Sequence, residues 1–279
     1  MTSDLLFADQ LISLNRPLVM GILNVTPDSF SDGARFHQKD AAIRQASKLV
    51  GEGADVLDVG GESTRPGAAA VSVQEELDRV VPVVEAIISE TGVPISVDTS
   101  KPEVMDEVVR KGVGMINDVR ALREPGAIDV MSGYPNVAIC LMHMQGEPRT
   151  MQTNPEYNDV VSDVKEFLSD RIEACVTAGI DKTRLVLDPG FGFGKMLDHN
   201  LQLLKRMEEF QVLGCPVLAG ISRKSMIGAV LNDAPVDQRL YGSLAAAVIA
   251  AMKGADIIRV HDVKPTADAL KLVAAIQRS

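Results

Sequence analysis

Eight short apolar runs recur along this chain of 279 residues, each followed by a longer amphipathic stretch. That alternation constrains the fold more than any other feature. The runs occupy residues 18–23, 55–59, 94–97, 114–116, 137–142, 184–187, 216–219 and 256–260. Several are β-branched and nearly unbroken in apolar character, as parallel strands covered on both faces should be. Segments 40–53, 73–91, 101–111, 158–179, 200–210, 239–254 and 265–278 carry apolar residues at helical spacing. In the first of these the stripe is Ala42, Ile43, Ala46, Leu49 and Val50, and several segments end in glycine just before the next strand. Eight strand–helix units, with no charge run or Pro/Ser-rich linker between them, predict one domain over 1–279. The expected fold is an α/β (β/α)8 TIM barrel, which takes about 250 residues. An open doubly wound sheet is the rival, and the count of eight with even spacing favours closure.

Composition narrows the function. Hydrophobic residues make up 46% and charged residues 24%, an ordinary globular balance that excludes wholesale disorder. A net charge of −10 argues against a nucleic-acid partner, which needs a basic face, yet permits a local site for a small anion. Cys140, Cys175 and Cys215 stand apart with no CxxC pair. They read as reduced, buried thiols of a cytoplasmic protein. The opening MTSDLLFADQ lacks the apolar core of a signal peptide. The richest apolar run, 244–252, is too short to cross a membrane.

In a barrel the carboxyl ends of the strands form the active face. Those positions hold a polar set: Asn24, Asp58, Asp98, Asn117 with Asp118, His143, Asp188, Ser222 to Ser225, and Arg259 with His261. Burying such groups unpaired costs a few kcal/mol each, at about 1–3 or more, so they are expected to line a polar pocket. Structural readings stand beside the functional ones. Asp58 and Asp118 can equally tie loops to the barrel through backbone N–H groups. Asp40 and Asp198 read as helix caps or turn residues, and His37 and His199 as solvent-facing. His143 has no second ligand at metal spacing and reads as a packed or supporting side chain rather than a zinc ligand. The methionine-rich stretch 141–144 suits a flat apolar ligand.

DPGFGFGK at 188–195 lacks both the GxGxxG spacing and the GK[ST] ending, so it is neither a Rossmann nor a Walker loop. Its glycines are expected to let the chain turn tightly, leaving Asp188 facing inward with a phenylalanine near the pocket. SRKS at 222–225 precedes a short helix expected at 226–231. A helix start with serine and cations suits a carboxylate or phosphate, and the loops after the seventh and eighth barrel strands commonly hold phosphate.

At these residues the sequence resembles the dihydropteroate synthases, the folate-pathway enzymes targeted by sulfonamides. The matching blocks are MGILNVTPDSFSDG at 20–33, DVGGESTRPG at 58–67, SVDT at 96–99, IND at 116–118, DPGFGFGK, SRKS, and RVHD at 259–262. The resemblance spans essentially the whole chain. It implies a (β/α)8 barrel, a homodimer, and condensation of 6-hydroxymethyl-7,8-dihydropterin diphosphate with 4-aminobenzoate, assisted by Mg2+. It also implies the site. Asp98, Lys224, Arg259 and His261 would be catalytic. Thr64, Asp98, Asn117, Asp188, Lys224, Arg259, Val260 and His261 would bind the pterin diphosphate. Phe30, Thr64, Arg65, Pro66, Phe193, Gly220, Lys224 and Ser225 would bind 4-aminobenzoate, and Asn24 would hold the metal. The chemistry of the residues agrees: a carboxylate can accept from a pterin ring N–H and exocyclic amine together, and an amide suits the mixed remainder of that edge. Three alternatives stay open on sequence: a pterin-binding methyltransferase barrel, a non-catalytic paralogue, and a phosphosugar barrel enzyme with Lys224 as a Schiff base.

Overall fold

The computed structural model describes residues 4–25, 35–63, 70–146 and 155–279, with backbone alone for 35–38. A small hairpin opens it, β1 (Leu5–Phe7) paired antiparallel with β2 (Gln10–Ile12). Eight parallel strands follow: β3 (Leu18–Asn24), β4 (Val56–Gly60), β5 (Ile95–Asp98), β6 (Met115–Asp118), β7 (Ala138–Met142), β8 (Leu185–Asp188), β9 (Leu218–Ala219) and β10 (Ile257–Val260). They make one sheet in the order β8-β7-β6-β5-β4-β3-β10-β9. Its two ends meet at a parallel bridge between Leu187 and Val217, where Leu187 N–H donates to Pro216 O at 2.8 Å. The sheet is therefore a closed barrel.

Alternation along each strand sorts the side chains into two cores. Val19, Leu23, Leu57, Val59, Ile95, Val97, Ile116, Ile139, Leu141, Leu185, Leu187, Ile258 and Val260 belong to the large outer core against the helices. Leu18, Met20, Val56, Met115, Ala138, Cys140, Val186, Leu218 and Ile257 fill the barrel interior. Leu5, Phe7 and Leu14 join the interior cluster, and Phe7 lies over Gly114. The hairpin thus plugs the end of the barrel where the strands begin. Two aspartates tie that end: Asp55 accepts from Val19 N–H at 2.8 Å and pairs with Arg16, and Asp256 accepts from Val217 N–H at 2.8 Å. The polar inward positions lie at the opposite mouth.

The helices are α1 (Arg35–Gly51), α2 (Val73–Thr91), α3 (Pro102–Arg110), α4 (Ala127–Ser132), α5 (Val160–Thr177), α6 (Leu197–Lys205), α7 (Ser225–Val230), α8 (Leu240–Met252) and α9 (Val263–Arg278). The caps follow ordinary rules: Ser72 Oγ accepts from Glu75 N–H at the start of α2, and Asp159 does the same for Ser162 at α5. Among the described residues no helix is long and apolar enough to cross a membrane.

Several expectations need correction. The hairpin and α4 were not legible: three-residue strands and a six-residue helix are too short to show a period. The segment 200–210 is not one helix. α6 stops at Lys205 and a 3-10 turn, Met207–Leu213, takes over. Asp40 lies inside α1, which starts five residues earlier than its apolar stripe suggested. Asp198 sits in the first turn of α6 and does not cap it. Met196 holds the cap position, and its N–H donates to His199 Nδ1 at 3.2 Å. His199 is thereby half-buried, its ring edge-on to Tyr157 with centroids 4.9 Å apart.

Candidate active site

Register sets the site. Asn24, Gly60, Asp98 and Asn117 are successive neighbours across β3, β4, β5 and β6. All four share the inward parity at the ends of their strands. Gly60 leaves the row uncrowded: a Cβ there would stand 3.7 Å from both Asn24 Oδ1 and Asp98 Cβ. One layer deeper lie Asp58 and Ser96, also adjacent in register. Across the mouth stand Asp188 at the end of β8 and Arg259 on β10. Between them Gly220 follows β9, where a Cβ would lie 3.9 Å from Asp188 Oδ2 and from Arg259 Cβ.

A continuous polar chain runs through these groups. Arg259 Nε donates to Asp58 Oδ2 at 2.6 Å and its Nη2 to Asp98 Oδ2 at 3.1 Å. Asn117 Nδ2 donates to the same Asp58 oxygen at 3.2 Å. Asp58 is fully buried and its Oδ1 lacks a partner, as does the buried Ser96 Oγ. Burial pulls against the Arg259 charge, but the Asp58 and Asp98 carboxylates more than offset it and hold its pKa above the ordinary value. Asp98 is pushed up to about 7, chiefly by burial, with Arg259 opposing. Asp188 is likewise raised by burial, against the pull of Lys224.

Lys224 comes from the loop between β9 and α7. Its Nζ donates to Phe191 O and lies 4.7 Å from the centroid of the Phe193 ring, within cation–π range. Burial lowers its pKa to about 8, against the attraction of Asp188. The loop is anchored by its neighbour: Arg223, at φ 60°, pairs with Asp262, and Ser222 Oγ meets His261 Nδ1 at 3.1 Å. His261 is thus tied to the Lys224 loop. Ser225 is exposed at the first position of α7.

The turn after β8 behaves as its glycines suggested. Gly190 has φ 70°, its N–H donates to Asp188 Oδ1 at 2.7 Å, and a Cβ there would fall 1.9 Å from His143 O. Only glycine fits. His143 is buried, and Lys195 Nζ lies 2.9 Å from its Nδ1. Burial, then the Lys195 charge, lowers the histidine pKa to about 2.

Asn24, Asp98, Asn117, Asp188, Gly220, Lys224, Arg259, His261 and Phe193 therefore gather at one mouth, with Ser225 at its edge. Val260 does not join them by its side chain, which packs into the outer core because its parity is opposite to that of Arg259. Asp118 also faces outward. It accepts from Arg120 N–H at 2.8 Å and Leu122 N–H at 2.7 Å, and so ties a loop. Asp58 takes the other of its two readings and belongs to the pocket. Phe30, Thr64, Arg65 and Pro66 lie outside the described residues, as does the side chain of His37. Lys195 was missed, and nothing in its spacing marks it.

Comparison with known proteins decides the family. A family model described as pterin binding enzyme matches residues 20–261. The dihydropteroate synthase of Escherichia coli K12 is 56% identical over 264 residues, 95% of this chain and 93% of its own length. The chain belongs to the dihydropteroate synthase family. It is a transferase of folate biosynthesis. Two solved synthases from Xanthomonas albilineans superpose over the full length of both chains. One, with 4-aminobenzoic acid, has a TM-score of 0.94 at 51% identity, and the other, with 7,8-dihydropteroate, has 0.89 at 46%. The relatives matched are thus synthases, which sets aside the methyltransferase and phosphosugar readings.

Proposed function

We propose that this mouth makes 7,8-dihydropteroate by letting pyrophosphate leave before the amine attacks. The observation that carries the reading is the unbroken polar chain Asn117–Asp58–Arg259–Asp98 at the same mouth as Asp188 and Lys224. Asp188 accepts from the pterin ring N–H and its exocyclic amine, Asn117 meets the remainder of that edge, and Lys224 donates to O4 and N5. Polar groups fixed for one heterocycle reject analogues that leave them unpaired.

The diphosphate lies toward Asn24, Arg259 and His261, with the backbone at Val260 beside it. The bond from the methylene carbon to the diphosphate oxygen breaks, and its electron pair leaves with pyrophosphate. Asp98 stands where it stabilises the resulting pterin-methyl cation. The amine nitrogen of 4-aminobenzoate then forms the new C–N bond and gives up a proton. Ser225 receives the aminobenzoate carboxylate. Phe193, Gly220 and the stem of Lys224 lie against its ring.

Asn24 fits Mg2+. Its hard amide oxygen and Asp98 flank Gly60 from the two neighbouring strands, and no group of three or more His, Cys, Asp or Glu among the described residues could hold a metal alone. That sparse donor set suits an ion that keeps waters and takes phosphate oxygens. When bound, the ion neutralises charge on the departing diphosphate.

Exposed Tyr241, Ile249 and Met252 on α8, with Leu272 and Ile276 on α9, support pairing with a second copy, which sedimentation would read. Three buried free thiols support a reducing, cytoplasmic setting. The mechanism is tested by rapid-quench measurement of pyrophosphate with Mg2+ and the pterin diphosphate, with and without 4-aminobenzoate. Release without the amine is expected. A release rate proportional to amine concentration, with none in its absence, would refute the order of steps.

A further inference from the structure

Lys195 is a buried lysine, and among the described residues no carboxylate pairs with it. Its Nζ meets Gly190 O at 2.9 Å, Phe193 O at 3.0 Å and His143 Nδ1 at 2.9 Å. A longer contact runs to His143 O at 3.4 Å. Burying an ammonium is costly unless its protons are used, and burial pulls the Lys195 pKa well below that of an ordinary lysine. The acceptors come from two places: the turn after β8 and the chain just after β7. That same turn presents three groups to the site. Gly190 N–H fixes Asp188 Oδ1, Phe191 O takes the Lys224 ammonium, and the Phe193 ring lies beside it. Asn200 reinforces the turn, accepting from Gly192 N–H at 2.7 Å and donating to Lys195 O at 3.1 Å. Tyr157 Oη donates to Gly194 O at 2.7 Å.

We propose that Lys195 is a positioning residue for pterin recognition: by bracing the Gly190–Phe193 turn against His143 it seats Asp188 and Lys224 as one unit. The inference rests on the reading that those two side chains grip the pterin. It assigns no contact between Lys195 and substrate. The charged groups facing Lys224 are Asp188 on β8, Arg259 on β10 and Asp98 on β5. Lys195 lies behind Asp188 and favours its charged form, while burial and the nearby Lys224 hold the Lys195 pKa down. Without the brace Lys224 gains solvent, and its lowered pKa rises toward that of an ordinary lysine.

The test is calorimetric binding of 7,8-dihydropteroate to full-length protein between pH 6 and pH 10. Wild type is compared with Lys195→Met, Lys195→Gln and Asp188→Ala. Lys195→Met should bind about tenfold more weakly, the equivalent of one lost buried hydrogen bond at about 1.4 kcal/mol. Its alkaline limb should move up by about one pH unit, a change that lost stability alone would not produce. Lys195→Gln, which keeps N–H donors for the carbonyls, should recover part of the affinity. Folded Lys195→Met with affinity within about twofold and an unmoved limb overturns the proposal, as does loss of folding in both lysine variants. Unchanged binding by Asp188→Ala instead overturns the pterin reading on which it rests.

Discussion

Replacing Arg259 with methionine removes the guanidinium shared by two inward carboxylates. Asp58 would suffer most. It has no exposed surface, its Oδ2 takes Arg259 Nε at 2.6 Å, and its other oxygen is already unpartnered. The bond left to it is Asn117 Nδ2 at 3.2 Å. Asp98 already titrates near 7 with Arg259 in place, so without the arginine it takes up a proton and becomes neutral. Truncating one partner of a buried pair costs about 3–5 kcal/mol, because the other charge is stranded. Urea unfolding at pH 8 should show a loss of that size in Arg259→Met. Adding Asp58→Leu should restore at least half of it, since an apolar pair of similar volume is often neutral or better than the ions it replaces. Both variants are expected to be inactive, so stability is the readout. A cost below about 1 kcal/mol, or single-variant losses that simply add in the double variant, would show that the chain of bonds at this mouth carries no such coupling.

Gly190→Ala combines a left-handed φ with a Cβ only 1.9 Å from a backbone oxygen; thermal unfolding should show a loss of about 3 kcal/mol or more, and a shift of under about 2 °C would contradict the packing. Asp98 gives the substrate-free protein a pH dependence of known sign. Its folded pKa of about 7 exceeds the ordinary 3.8, so its contribution is complete below pH 4 and lost as pH rises through 7. Asp98→Asn should therefore flatten the fall in unfolding free energy between pH 5 and 8, and an unaltered slope would count against it. Ser225→Ala should raise the KM for 4-aminobenzoate about tenfold or more, at about 1.5 kcal/mol for a hydrogen bond to a charged group, and leave that for the pterin diphosphate nearly unchanged; equal effects on both would remove Ser225 from the aminobenzoate site.

Much of the fold could be read because parallel strands buried on both faces give unbroken apolar runs, and all eight proved to be strands. What the runs hide is parity. Asp58 and Asp118 look alike in sequence, each near the end of an apolar run. One faces the barrel axis and pairs with Arg259, and the other faces the helices and ties Arg120 and Leu122. Aligning each strand on alternate positions separates them, and the same step turns the Val260 side chain away from the site. Lys195 was beyond any such rule. Its contacts are acceptors brought together by a turn and the end of a neighbouring strand, a convergence that exists only in three dimensions.

The N-terminal plug has a consequence for how the molecule is made. Leu5 and Phe7 are made before Ala138, Cys140, Val186 and Ile257, which share their core. Until then the hairpin has no floor to close, and β3 must wait for β10 to complete its pairing. Until those later strands emerge, the apolar faces of the hairpin and of β3 stay uncovered, so both are sealed only when the last barrel strand docks.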